Sequence, residues 1–443
     1  MYKAATKNKL KEVLILVSVW GFILGCSTDR KISRKMGLFL KQSEVLKKHH
    51  VGFAVYDLNG RKTIYEKNAD QYFIPASNTK LLTFYTSLKM LQDSVAGIRY
   101  IVRHDSLIFW GTGDPSFLQS RLKSEKVVQF LKGSDKKLFF STGRYTGARY
   151  GKGWAWDDYN DYYQSELTEL PIMDNLITLG NEQGVLTVKP EIFKDAVMPD
   201  TLRKDSIFKV LRMQNENRFG YPVKAVPRNY AQQVPYKTSI YLTKALLENL
   251  LGKPVGLLSM KIPDSSKVIY SEKRDSILKE MLIPSDNFIA EQLLLLCADQ
   301  TGLQMNTDTV IAHAKRTFLR NLPDAPVWVD GSGLSRYNLV TPRDLVVLLT
   351  EIYRAAGDSG KLYGMLPAGG KSGTLKNAYA KTDHPFVFGK TGTLSNNYCQ
   401  SGYVLTRKNR TYVFSFMNNN FVAATADVRK EIEKVITYLH EHY

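Results

Sequence analysis

Ser77 stands three residues before Lys80 in the run Ser77-Asn78-Thr79-Lys80, and on a helix that spacing puts hydroxyl and amine on one face. A serine attacks a carbonyl well only when a base takes its proton. A lysine that burial and neighbouring cations have relieved of its own proton is such a base. Two further words bear on the same chemistry. Ser285-Asp286-Asn287 offers a hydroxyl and an amide on a corner between apolar runs, and Lys390-Thr391-Gly392-Thr393 offers a second cation flanked by hydroxyls. Nucleophile, base, proton relay and a positive site for an anionic group are the parts of acyl transfer.

Each word has copies, and local context separates them. Ser120, Ser134, Ser206 and Ser276 also precede a lysine by three, Ser395 begins another S-x-N, and Lys371-Ser372-Gly373 imitates the third word. After Pro75-Ala76, residues Leu81, Phe84, Tyr85, Leu88 and Leu91 recur at helical spacing. Ser77 is therefore expected in the first turn of a buried helix, where backbone N–H groups lack partners. An isolated S-x-x-K is more often a cap and a solvated lysine, which is the reading for the other copies. Pro284 interrupts a helical stretch at 277–282, and 288–298 reads as a second apolar helix, with an ordinary N-cap as the alternative at the corner. Lys390 follows Phe386-Val387-Phe388 and precedes strand-like runs at 401–405 and 411–417, an antiparallel pattern. Lys371 follows Gly369-Gly370 and reads as loop. In a strand, Thr391 and Thr393 share one face and Lys390 and Gly392 the other. The threonines are expected to line a cleft, Lys390 to reach Ser285 from behind, and Gly392 to avoid crowding.

In this order and setting the three words resemble those of class C low-molecular-mass penicillin-binding proteins, the D-alanyl-D-alanine carboxypeptidase/endopeptidase family. The resemblance extends beyond them. The nucleophile segment from Phe73 to Leu82 is similar to the family's. So are Gly111-Thr112-Gly113-Asp114-Pro115, the Trp-rich stretch Gly153 to Tyr159, Ala290-Glu291 and Asp330-Gly331-Ser332-Gly333-Leu334-Ser335-Arg336. Gly373-Thr374-Leu375 matches a non-catalytic family element, which accounts for the third-word copy. The implied fold is α+β: a penicillin-binding/serine β-lactamase-like transpeptidase domain, an antiparallel sheet flanked by helices, with a second domain inserted between the first two words. Spacing agrees, because the roughly 200 residues from Ser77 to Ser285 are too many for one loop. Short apolar runs at 107–110, 138–140 and 184–188 make the insertion mostly β. The expected organisation is a signal peptide at 1–25, a discontinuous peptidase domain at 26–95 and 254–443, and an inserted accessory domain at 96–253.

The resemblance also implies roles. Ser77 attacks the carbonyl of the penultimate D-alanine, Lys80 takes its proton, and the backbone N–H groups of Ser77 and Thr393 hold the oxyanion. Ser285 relays a proton to the departing D-alanine, with Lys390 holding its hydroxyl. Asn287 binds the substrate peptide and Lys80. Thr391, Gly392 and Thr393 form the substrate edge, the threonines engaging the terminal carboxylate. Arg336 either lines the groove or makes a surface ion pair. Ligands are then peptidoglycan peptides, with β-lactams as inhibitors. A cross-link endopeptidase would use the same site. A β-lactamase would need a compact Glu-bearing loop between the first two words, and none is seen. A non-catalytic penicillin sensor or wall-binding lipoprotein would leave the intact triplet of words unexplained.

Lys3, Lys7, Lys9 and Lys11 precede an apolar run at 13–24, long enough for a signal peptide and too short to span a bilayer. It ends Ile23-Leu24-Gly25-Cys26, which resembles a bacterial lipobox. The expectation is an exported envelope enzyme, on the periplasmic side, held to a membrane by lipid on Cys26; the alternative is a secreted chain without lipid. The net charge of +19 favours anionic surfaces. The cations are dispersed and no nucleic-acid motif accompanies them. Seven histidines show no metal-ligand spacing and no glycine loop is set to cradle phosphate, so neither metal nor cofactor is expected. Cys297 and Cys399 read as two buried thiols, with a disulfide between them as the alternative.

Overall fold

The structure, a computed structural model, describes residues 29–122, 124–381 and 383–443. Residues 1–25, expected to be a signal peptide, and Cys26 lie outside the described residues. The frame is a five-stranded antiparallel sheet in the order Val387–Leu394, Asn397–Leu405, Thr411–Asn419, His50–Asp57, Lys62–Lys67. His50–Asp57 reads His-Val-Gly-Phe-Ala-Val-Tyr-Asp and is buried along nearly its whole length. A strand covered on both sides needs apolar residues at consecutive positions, so alternation is lost.

Helices supply both covers. Lys80–Met90, Asn287–Thr301 and Pro342–Ala356 pack on one face in a single apolar cluster. A helix through 29–42 and the last helix, Thr425–His442, pack on the other. Leu293, Leu294, Leu295 and Leu296 are all buried. Each contributes roughly 1.5–3 kcal/mol by leaving water. Helix ends follow the expected signals: Thr341 caps Pro342–Ala356 through Asp344 N, and Asn287–Thr301 stops at Gly302 with φ 69°. Cys297 and Cys399 are buried free thiols.

The chain between Met90 and Arg274 builds three further sheets. The largest has the order Val255–Leu258, Lys137–Ser141, Ser106–Gly111, Ser94–Arg103, Lys267–Lys273. Sequence reading ended the insertion at 253, whereas Val255–Leu258 and Lys267–Lys273 pair into this sheet. Both are short, and their partners lie more than a hundred residues upstream, so local pattern carries no sign of the pairing. This part has its own core around Phe109, Phe140, Phe219, Val234 and Leu247.

One buried carboxylate ties this sheet to the helix behind the second motif. Asp299, with no side-chain exposure, accepts from Arg99 Nε at 2.9 Å and pairs with Arg144 at 2.7 Å. Asp299→Ala would leave two guanidinium groups facing each other without a counter-charge. It should lower stability by about 3 kcal/mol, read as a fall in the denaturation midpoint. Asp308→Ala, which breaks an exposed pair with Lys152, should cost less than about 0.5 kcal/mol. Equal losses would contradict the assignment of Asp299 as the tie.

Candidate active site

Ser77 sits in a 3₁₀ turn, Ala76–Thr79, that runs directly into the helix Lys80–Met90. Three residues complete a 3₁₀ turn, so Ser77 and Lys80 stack along one face. Lys80 is fully buried, and its Nζ donates to Ser77 Oγ at 3.0 Å, Asn287 Oδ1 at 2.6 Å and Ser332 O at 2.8 Å. Burial pulls the amine down to about 8, while Asp330, Asp286 and Glu291 oppose the fall. A neutral amine keeps two N–H donors and gains a lone pair. With the amide and carbonyl oxygens holding the two donors, the lone pair is left for the Ser77 hydroxyl.

Two carboxylates hold the Ser332 carbonyl in place. Glu291 accepts Gly331 N and Ser332 N at 2.9 and 2.8 Å. Burial and the nearby Asp330 raise its pKa. Asp330 accepts from Gly333 N, Ser335 N, Asn338 Nδ2 and Trp154 Nε1. The loop so fixed touches the nucleophile turn closely: a Cβ on Gly333, at φ 82°, would stand 1.9 Å from Ala76 O.

The second motif divides its work. Asp286 caps the helix Asn287–Thr301 through Ile289 N at 2.9 Å, so the N-cap alternative describes Asp286 alone. Asn287 reaches Lys80 and donates from Nδ2 to Tyr163 O at 3.2 Å. Ser285 turns the corner at φ 65°. The contact expected from Lys390 to Ser285 is not made. Lys390 Nζ instead donates to Thr391 O at 2.6 Å, while burial and the charge of Lys80 hold its pKa far below the ordinary lysine range. Arg121, from the inserted segment, clamps the corner by pairing with Asp286 and Glu280.

In the third motif the pleat turns Lys390 and Gly392 toward the nucleophile. A Cβ on Gly392 would meet Pro75 O at 2.5 Å and Ser77 N at 2.8 Å, so the strand can lie against the turn only with glycine there. Thr391 Oγ1 donates to Thr374 Oγ1 at 2.7 Å, and Thr393 is exposed. Lys371 is exposed, bonded to Asp383 O at 3.4 Å. Arg336 is exposed, donating to Ser395 O at 3.4 Å, and forms no ion pair among the described residues. Among those residues no group of His, Cys, Asp and Glu is arranged to hold a metal ion.

Sequence reading named neither Arg121, Glu291 nor Asp330 as site residues. Glu291 follows Asn287 by one helical turn, a spacing that could have pointed to it. Nothing in the local sequence marks Arg121.

Residues 33–442 match the profile of the D-Ala-D-Ala carboxypeptidase 3 (S13) family. The chain belongs to that family. It is 26% identical over 449 residues to penicillin-sensitive carboxypeptidase A of Dictyostelium discoideum, covering 86% of this chain and 84% of that protein. To D-alanyl-D-alanine carboxypeptidase DacB of Haemophilus influenzae it is 22% identical over 382 residues, covering 76% and 78%. The crystal structure of penicillin binding protein 4 (dacB) from Haemophilus influenzae overlays with TM-score 0.72 at 18% identity, covering 92% of this chain and 99% of that one. The α+β fold expected from the family resemblance is thus the observed one.

Gly392→Ala should push the strand off the Ser77 turn. Labelling by fluorescent penicillin should slow at least tenfold or so, with the denaturation midpoint moved far less than by Asp299→Ala. Unchanged labelling would show that this close approach is not needed.

Proposed function

We propose that the chain is a serine-type D-alanyl-D-alanine carboxypeptidase of the bacterial cell envelope, acting on peptidoglycan stem peptides and acylated by β-lactams. The observation that carries this reading is the three-way contact of the buried Lys80 amine with Ser77, Asn287 and the Ser332 carbonyl. Neutral Lys80 takes the Ser77 proton as Oγ bonds to the penultimate D-alanine carbonyl. The oxyanion is held by the N–H groups of Ser77 and Thr393. As the C–N bond breaks, Ser285 passes a proton to the departing amine, and Lys80 replaces the proton that Ser285 gave. Water then attacks the ester with Lys80 as base. The Lys390 amine takes up a proton as the terminal carboxylate arrives and offsets burial, with Thr391 and Thr393 as the carboxylate's hydrogen-bond partners along an edge that Gly392 keeps open. On this reading Arg336, which donates to Ser395 O just beyond the strand, lines the same groove.

A second reaction, cutting cross-links, is favoured by a cavity of about 300 Å³ beside Ser285 and Asn287, lined also by Arg121, Tyr162 and Asp174. It is large enough for a leaving group bigger than alanine. On the same reading residues 26–93 and 274–443 are the peptidase domain and 94–273 an accessory domain, which keeps Ser94–Arg103, Val255–Leu258 and Lys267–Lys273 in one sheet. Cys26 is the mature N-terminus, with lipid on its sulfur. Among the described residues no helix is long and apolar enough to cross a membrane.

Purified protein given a pentapeptide should release its terminal D-alanine, and penicillin should stop it by forming an ester on Ser77. Ser77→Ala should lose both. Rapid hydrolysis of penicillin with no peptide cleavage would favour a β-lactamase; reversible penicillin binding without an adduct would favour a sensor. The two third-motif candidates separate by variant: Lys390→Ala should slow acylation roughly hundredfold, and Lys371→Ala by less than about twofold. For the tether, the N-terminal peptide of membrane-extracted protein should begin at Cys26 and carry a diacylglyceryl mass. A soluble protein with another N-terminus would refute it.

A further inference from the structure

The segment that follows the proposed tether is basic on its outer face. From 29 to 48 the chain has seven lysines and arginines and two acids, Asp29 and Glu44. The helix through 29–42 turns Ile32, Met36 and Leu40 into the core it shares with the last helix. That four-residue spacing leaves Arg30, Lys31, Arg34 and Lys41 exposed. Both acids are occupied, Asp29 by Lys62 and Glu44 by Lys47. Among the described residues, none of the four exposed cations has a carboxylate partner.

Beside this helix lies a cavity of about 450 Å³, lined by Lys41, Lys47, Lys67, His49 and His50 and by no carboxylate. Lys47 is held by Glu44 and a His49 ring nitrogen by Asn418 Oδ1. Among the described residues this leaves Lys41 and Lys67 as the ammonium groups without a carboxylate partner on this space, and such donors suit the oxygens of a phosphate. The pKa of His50 is lowered first by burial and then by repulsion from His49 and Lys67. An anion would relieve that repulsion.

We propose that this face seats on the anionic phospholipid headgroups of the membrane that holds the tether, a headgroup phosphate entering the cavity. The inference rests on the reading of Cys26 as lipid-bearing. Three residues from Cys26 to Asp29 reach at most about 10 Å, so the basic helix begins at the lipid surface. A tether alone leaves the catalytic cleft free to point anywhere. Seating the helix fixes one orientation, because the cavity wall joins the nucleophile segment: the His50 ring stacks on Phe73 at 4.1 Å, four residues before Ser77.

The test uses the lipid-bearing protein in nanodiscs of phosphatidylcholine, alone or mixed with phosphatidylglycerol, and an amine-reactive ester as footprint. In the anionic discs labelling of Lys31, Lys41 and Lys67 should slow at least about fivefold, the effect of one cation near such a surface. About 0.5 M salt should restore it, and Lys204 and Lys267 should label alike in both discs. Replacing Arg30, Lys31, Arg34 and Lys41 by Gln should remove the protection of Lys67 while penicillin acylation stays at the wild-type rate. Equal labelling of tethered protein in both discs overturns the seat and leaves the tether standing. If Cys26 bears no lipid, the protein should still float with anionic vesicles at low salt, and failure to do so overturns the proposal. Protection by isolated cell-wall sacculi and not by anionic discs also overturns it, in favour of a wall polymer.

Discussion

A lysine amine with no access to water lies 3.0 Å from the Ser77 hydroxyl, and the rest of the cleft is arranged around that contact. Taking an ammonium out of water costs several kcal/mol, which is why its proton becomes loosely held. The acceptors limit the effect without cancelling it. Nζ faces a hydroxyl, an amide oxygen and a backbone carbonyl, and none of these carries a full charge. The carboxylates near enough to matter are turned to other partners: Glu291 and Asp330 to backbone N–H groups, Asp286 to its helix and Arg121. Lys80 therefore settles near 8, within reach of neutral pH. Lys390 is equally buried, and there the like charge of Lys80 adds to burial, so its pKa is held well below the ordinary lysine value.

This arrangement needs close backbone approach and some strain. Ala76 and Ser285 adopt φ of 48° and 65°, conformations that cost of order 1–3 kcal/mol in a residue other than glycine. Such residues persist only where the surroundings over-determine them. Here the surroundings are the apolar helices Lys80–Met90 and Asn287–Thr301, which pack together in one core and carry the first and second motifs at their starts. The inserted segment adds a second brace, since Arg121 holds the Ser285 corner and Arg99 and Arg144 hold Asp299 farther along the same helix.

The parts readable in the sequence are those governed by local spacing. The nucleophile turn, the two helices about Pro284 and the antiparallel run after Lys390 depend on neighbours a few residues away. Gly392 was also legible in kind, because a motif glycine on the same strand face as Lys390 implies crowding there. What escaped reading depends on residues far apart in the chain. Arg121 meets Asp286, and strand Lys267–Lys273 meets Ser94–Arg103, across separations that no periodicity records. The direction of the Lys390 amine escaped for another reason: spacing sets which face of the strand it leaves, and not which carbonyl the flexible chain then finds.

The state of Lys80 is the point on which the chemistry turns, and the pH dependence of Ser77 acylation by penicillin reads it directly. As pH rises the buried ammonium becomes the neutral base, so the rate should climb through a single ionisation near 8 and then level off. A rate that is flat through that region, or that keeps rising toward the ordinary lysine value of 10.5, would contradict a base made by burial.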